Sequence, residues 1–523
     1  MRNKSPARII KYSIVPIVLL IITNMMFCRV LKLGVVDDLF PKLPTIIITH
    51  VCIISSVYIV LLGILINTKK ITEAGFFLLT SICFGLIMMV LVPAWSIPDS
   101  GSHYIATYRF SNKLLGLGKE FEWYGRKEDC TFFAEIWNRN VNPNTFSYGT
   151  LANNIHLLCK DSELIKIPFS AEYMTYYSPI NYLPQIIGLT IGRLLGLGSA
   201  VCIYLARFFV LIFYSLGCFY SIKKTPVGKS IFAFVCLLPM PLMIGNSFSY
   251  DAIVIIVTMN FIASIFRLSD NMNSKFYFIE ALICSFLLGA TKAGGYVLLL
   301  PLVIVLARKR HNKKSIIYII SIIFTCVASM LLFDLVLQDA NNYFQLGSED
   351  SPNLSASWAY MHPFNYLKLC FVTFAKQSPS LVLGMMGEYL GWLEKTLPKF
   401  LLIFMGIIII AYSLLEKDKV NFGKKDVLAC VLSIFMMLVI APSMLLSSTP
   451  IGSNTIMGLQ GRYFLPILPI ILLLLTKSLR SKKISKIIAS TKTSEKIRFS
   501  LMYTYSLLMC IAIYYMLRMY LCR

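Results

Sequence analysis

The chain has 523 residues, of which 57% are hydrophobic and only 14% charged, with a mean hydropathy of +0.72. Soluble domains carry roughly a quarter charged residues, so an ordinary soluble enzyme is excluded, and 28 Gly and 22 Pro exclude a collagen-like or low-complexity chain. The formal charge of +24, from 49 Lys and Arg against 25 Asp and Glu, would suggest nucleic acid for a soluble protein. In a membrane protein it reports topology, and no nucleic-acid partner is expected.

A membrane-crossing helix takes about 20 mostly apolar residues, because the hydrocarbon is about 30 Å thick and a helix rises about 1.5 Å per residue. By that measure the chain is an all-α polytopic membrane protein with about 13 transmembrane helices. They are expected near 12–31, 44–66, 75–95, 199–221, 230–247, 251–267, 276–292, 295–307, 315–337, 399–416, 427–447, 463–477 and 499–518. The first opens on Arg2, Lys4, Arg8 and Lys11 like a signal peptide, but its long apolar run with no small-residue cleavage site reads as a retained anchor.

Short cytoplasmic loops retain Lys and Arg. With the N-terminus cytoplasmic, the segments 1–11, 67–73, 222–229, 267–275, 308–314, 416–425 and 477–498 hold 28 of the 49 basic residues, and the C-terminus falls outside. The same rule decides segment 182–197, which is apolar enough to pass for a span. If it crossed, every later basic cluster would face outward. It is therefore expected to lie along the outer surface or to dip in and return, with Arg193 snorkelling to the headgroups. Its Gly188, Gly192 and Gly196 recur every four residues, a spacing that lets a second helix approach closely.

This gives five regions: N-terminal transmembrane helices (1–95), a long external loop carrying surface helices (96–198), central helices (199–337), a second external loop (338–398) and C-terminal helices (399–523). The first external stretch, 96–181, carries nine acidic and eight basic residues and is rich in aromatics, among them Trp123, Trp137, Tyr173, Tyr176, Tyr177 and, at its end, Tyr182. Such a loop should fold into a polar and aromatic layer. Most of the 14 cysteines lie in apolar spans. Cys130 and Cys159 share the external loop, where an oxidising exterior permits a disulfide; two free thiols are the alternative. No C-x-x-C, H-E-x-x-H, complete P-loop or G-x-S-x-G pattern occurs.

Chemistry is then sought where charges meet the outer boundary. Asp99 follows Trp95 and Pro98 at the end of the third span, where partial desolvation would raise the basicity of a carboxylate; the plainer role is a cap on the helix that follows. Asp251 and Lys292 sit in tight external turns, and Arg462 stands where the last external loop enters its span. A charge at bilayer depth costs about 2.5–3.5 kcal/mol unless partnered. These four could form one site, two structural ion pairs, or, for the cations, contacts with lipid phosphates.

The run Pro98-Asp99 with His103-Tyr104, then Tyr182-Leu183-Pro184-Gln185, Gly192-Arg193-Leu194-Leu195-Gly196-Leu197, Leu238-Pro239-Met240, Tyr250-Asp251-Ala252, Thr291-Lys292 and Gly461-Arg462-Tyr463-Phe464-Leu465-Pro466 resembles a family of bacterial membrane proteins catalogued as domain of unknown function 2142, over about 90 to 475. That family looks like the GT-C class of integral-membrane glycosyltransferases. The resemblance implies a GT-C-like fold in the bacterial cell membrane. It also implies an enzyme moving sugar from a polyprenyl-phosphate donor to an envelope glycan, such as a teichoic acid, or to a lipid. On that reading Asp99 is the catalytic base, Lys292 and Arg462 bind the donor phosphate, and His103, Tyr104, Arg109 and Asp251 bind substrate. Metal use stays open between a divalent cation, Mg or Mn, and none. The family's Asp-Glu-Pro is Asp99-Ser100-Gly101 here, so the second carboxylate is missing. A flippase or transporter of lipid-linked sugars, and a non-catalytic envelope-assembly protein, are the rival readings.

Overall fold

The computed structural model describes residues 6–33, 42–117, 124–140, 154–166, 178–292, 295–308, 313–345, 353–416, 422–480 and 491–522. Trp123, Tyr173, Tyr176, Tyr177 and the side chain of Trp137 lie outside them. The helices are α1 (Pro6–Val30), α2 (Leu43–Asn67), α3 (Glu73–Leu91), α4 (Ser100–Leu114), α5 (Lys127–Asn140), α6 (Leu183–Leu194), α7 (Ser199–Lys224), α8 (Lys229–Cys236), α9 (Pro239–Ile244), α10 (Asp251–Asp270), α11 (Lys275–Ala290), α12 (Lys313–Gln345), α13 (Ala356–Met361), α14 (Pro363–Met386), α15 (Lys399–Leu414), α16 (Lys424–Ile440), α17 (Leu468–Leu479) and α18 (Thr491–Leu521). The strands form two small antiparallel pairs, β1 (Tyr124–Arg126) with β2 (Leu164–Lys166) and β3 (Tyr389–Leu390) with β4 (Lys395–Thr396).

Among the described residues ten helices are long and apolar enough to cross a membrane, and the protein is an all-α polytopic membrane protein. Nine of them fall on expected spans. The expected spans 276–292 and 399–416 form helices of 16 residues each. Segment 295–307 winds as a tighter 3₁₀ helix, Val297–Arg308, around Pro301. Segment 230–247 is not one helix but two, α8 and α9, broken at Leu237-Leu238 because Pro239 offers no N–H to continue the ladder. The freed carbonyls find partners inside the bundle. Tyr214 donates its hydroxyl to the Cys236 carbonyl at 2.6 Å. The Val235 and Phe234 carbonyls accept from the N–H groups of Leu238 and Leu237 at 3.2 Å, and Tyr505 adds a second bond to Phe234 at 3.4 Å, as hydrocarbon surroundings require. At the start of α8, Glu416 accepts from the backbone N–H groups of Lys229 and Ser230, a carboxylate placed on a helix N-terminus.

The tenth helix, α14, lies in the expected second external loop. It has the length to cross, yet both ends meet the same end of the bundle. Tyr366 donates to the carbonyl of Val439, at the end of α16, and Gly384 packs on Gly461, at the entry to α17. Both partners sit opposite Lys425 and Lys477, which begin α16 and close α17. The helix therefore runs along one face.

The described residues of the long loop after α3 form a layer of α4, the β1–β2 pair, α5 and α6 around Trp95, Tyr104, Tyr108, Phe133, Leu189 and Phe248. A closed ion pair pins it. Arg126 grips Asp129 with two bonds of 2.7 and 2.9 Å, and Tyr108 and Ser199 donate to the same carboxylate at 2.6 and 2.5 Å. The glycine row of α6 does admit α7: a Cβ on Gly188 would stand 2.6 Å from the Ala206 Cα. Arg193 does not snorkel. It is buried, bonded to Ser111 at 2.8 Å and Asn112 at 2.7 Å and stacked over Tyr108 at 4.1 Å, because α4 covers α6 and supplies the acceptors that lipid headgroups were expected to give. Cys130 and Cys159 are both free thiols. Cys130 points into the aromatic layer beside Tyr104 and Phe133, whereas the segment carrying Cys159 binds Glu128, two residues earlier and about 200° around the same helix.

Candidate functional site

The chain leaves α3 at Pro93, just past the helix's last residue Leu91, passes Pro98 and turns at Asp99, whose φ of 63° lies in the left-handed region. That turn aims the side chain away from α4. The expected cap is absent: the Asp99 carboxylate makes no bond to the helix it precedes. It lies instead 3.7 Å from Arg462 Nη2, with its side chain 62% exposed rather than partly desolvated. Ser100, in the place of the missing carboxylate, is buried and donates to the Ile97 carbonyl.

Asp251 opens α10, where the helix dipole favours a negative charge. It is held between two cations, 3.5 Å from Lys292 Nζ and 3.6 Å from Arg462 Nε. Lys292 follows the end of α11 and is the second site residue with a left-handed backbone, φ 46°. Its N–H donates to Asn181 Oδ1 at 3.1 Å. Its ammonium lies 4.4 Å from the ring centre of Tyr463 and 5.1 Å from that of Tyr250, contacts that favour a cation. Burial alone would pull the Lys292 pKa down; Asp251, with Tyr296 and Tyr463, more than offsets this and raises it, so the amine stays protonated. Arg462 begins the 3₁₀ turn Gly461–Ile467 with its guanidinium almost fully buried.

His103, one turn beyond Asp99, is buried, with Nδ1 3.0 Å from the Tyr182 hydroxyl and its ring edge-on to Tyr250 at 4.7 Å. Burial drives its pKa down to about 3, with Arg462 and Lys292 adding to the effect and Asp251 opposing it. The imidazole is neutral at physiological pH. Two other expected residues lie further along α4. Tyr104 is buried in the aromatic layer between Trp95 and Phe133, and Arg109 is half-buried further along α4.

Asp99, Asp251, Lys292 and Arg462 thus come from four distant segments and meet at one end of the spans. Neutral residues complete the setting, and a search for charges passes over them. Asn181 holds the Lys292 backbone, and Gln185 ties down the turn before Asp251 by donating to the carbonyls of Phe248 and Ser249 at 3.2 and 3.4 Å. Among the described residues no three His, Cys, Asp or Glu side chains gather closely enough to hold a metal ion. No step is assigned to a divalent cation.

The arrangement offers one accessible carboxylate beside a buried guanidinium and ammonium, able to accept a proton next to a site that favours an anion. No curated protein matches the chain. Residues 82–471, from within α3 into α17, match the family model DUF2142, described as a predicted membrane protein; this is well over half of the chain, and the protein belongs to that family.

Proposed function

We propose that the protein is a GT-C-like membrane glycosyltransferase that moves a sugar from a polyprenyl-phosphate donor to a cell-envelope glycan or lipid on the outer face of the bacterial membrane. The observation that carries the reading is the position of Arg462, which spans an exposed carboxylate, Asp99 at 3.7 Å, and a buried one, Asp251 at 3.6 Å, with Lys292 alongside.

The acceptor hydroxyl gives its proton to Asp99 as its oxygen bonds to the anomeric carbon. The bond from that carbon to the phosphate oxygen breaks, and its electron pair leaves on the polyprenyl phosphate. Arg462, with a planar fork, and Lys292, with a point charge, neutralise the departing anion. A single displacement inverts the anomeric centre. Asp251 is too engaged with the two cations to be the base, and it positions them. It also supplies the second carboxylate that the sequence lacks at Ser100. The concentration of Lys and Arg at the opposite ends of the spans supports the outward orientation, with a cytoplasmic N-terminus.

The test is Asp99→Asn in cells and in purified protein. Sugar transfer should fall by about 10²–10⁴-fold, the usual range for a general base, with insertion and folding intact. Unchanged envelope glycan composition in an inserted Asp99→Asn protein would sink the proposal. Loss of lipid-linked sugar movement across vesicles, with transfer preserved, would replace it by a carrier.

A further inference from the structure

A second cluster of buried charges lies at the other end of the same helices. Each of α7, α10 and α11 has one end at the Asp99 site or the layer beside it, and its far end carries Lys224, Arg267 or Glu280. Glu280 is 3.2 Å from Lys224 and 3.0 Å from Arg267, and it accepts from the Tyr220 hydroxyl at 2.5 Å. Two cations against one carboxylate leave the cluster with a net positive charge. Lys223 and Lys275 flank it in sequence.

Below these charges opens a cavity of about 340 Å³ between the three helices. Tyr220, Lys224 and Glu280 form its head, and Ile256, Ile283 and Leu287 line its depth. Along α11 it runs from Phe276 to Leu287, 11 residues or about 16 Å of helix. That is about half of the ~30 Å hydrocarbon thickness, the depth of one leaflet. The outer wall faces lipid: Phe276 is 60% exposed and Ile283 56%. Asn260, midway down, keeps a buried carbonyl oxygen without a hydrogen-bond partner.

We infer that this cavity is a binding site for an anionic phospholipid of the leaflet opposite the Asp99 site, with one acyl chain in the slot and the phosphate on Arg267 and Lys224. The slot's length fits a single leaflet's chain, its walls are apolar, and the buried cluster at its head, Lys224 and Arg267 on Glu280, is net cationic. Glu280 holds the two cations in place and cancels one, so the site prefers a singly charged headgroup. The site is independent of the glycosyltransferase reading.

Full-length protein is delipidated in detergent and titrated with phosphatidylglycerol or phosphatidylcholine, with bound lipid counted by native mass spectrometry. One phosphatidylglycerol should bind with about fivefold or greater preference over phosphatidylcholine, the scale of a single basic side chain at a membrane surface. Ile283→Trp, which fills the slot without touching a charge, should abolish that binding, and Arg267→Gln should remove the preference while leaving weak binding of both lipids. The two variants fail differently, so a general folding defect is recognised by its loss in both and by aggregation on size exclusion. Equal binding of the two lipids by the wild type, or phosphatidylglycerol retained by a monodisperse Ile283→Trp protein, overturns the inference. So does tighter binding of a polyprenyl phosphate than of phosphatidylglycerol.

Discussion

Two sets of charges on the same side of the protein are built in opposite ways. In the surface layer, Arg126 and Asp129 meet at 2.7 and 2.9 Å, and Tyr108 and Ser199 use the carboxylate's remaining capacity. At the Asp99 site the charges stand off at 3.5 to 3.7 Å, and the buried Nε of Arg462 has no hydrogen-bond partner. Burying a charge is costly unless its hydrogen bonds are made. A network that closes on itself holds a structure, whereas one left open at its centre keeps binding capacity for something else. The two left-handed residues at the site, Asp99 and Lys292, carry the same message, since such backbone costs of order 1–3 kcal/mol each and needs a reason to persist.

The comparison breaks if the two sets respond alike. Arg126→Met removes one partner of a fully buried pair and should lower stability by about 3–5 kcal/mol, read as a large drop in the unfolding midpoint in detergent. Asp99→Asn, on a side chain that is 62% exposed, should shift the same midpoint by less than about 1 kcal/mol while removing transfer. A drop as large as that of Arg126→Met would make Asp99 a structural residue.

His103 sharpens the contrast through pH. Its folded pKa, near 3, lies below that of the free imidazole, about 6.5. The unfolded chain therefore binds the extra proton first as pH falls. The stability held by the neutral ring is complete above about pH 6.5 and is lost as pH drops toward 3, at up to about 1.4 kcal/mol per unit. Between pH 6.5 and 5 the wild type should lose stability more steeply than His103→Gln, and parallel curves would mean that the imidazole is not held neutral. A modest effect is expected at Trp392→Phe, which deletes the 2.7 Å bond from the indole N–H to the Trp95 carbonyl and should cost about 1 kcal/mol. It tests whether the β3–β4 hairpin merely rests on the layer.

Spans such as α2, α3, α7 and α10 are legible because a run of apolar residues has only one stable arrangement in lipid. The break between α8 and α9 is not. Its apolar run reads as one span, and the carbonyls at the break are met by the N–H groups of Leu237 and Leu238 and by hydroxyls donated from α7 and α18. Arg193 misleads for a related reason. Sequence periodicity says which face is polar but not whether lipid or another helix will meet it, and α4 happened to bring Ser111 and Asn112. The boundary logic does point to Asp99, Asp251, Lys292 and Arg462, since an isolated charge at the edge of an apolar run is conspicuous. Asn181 and Gln185 leave no such mark: they are neutral, and they act on backbone groups 63 to 111 residues away. Arg207, deep in an apolar span, is likewise easily passed over, yet it binds the Val92 and Asn246 carbonyls that shape the approach to both acids.

The tyrosine that answers the Phe234 carbonyl lies on α18, outside the stretch that resembles the family, residues 82–471. The same helix bonds Ser506 to the Tyr58 hydroxyl of α2, also outside that stretch. The edge of the shared sequence is therefore not an edge of the folded body. A fragment trimmed to the family region would carry all four site charges and still strip a partner from a carbonyl in the middle of the bundle. The matched stretch holds all four site charges, while α1, α2 and α18 lie outside it and still pack into the same bundle.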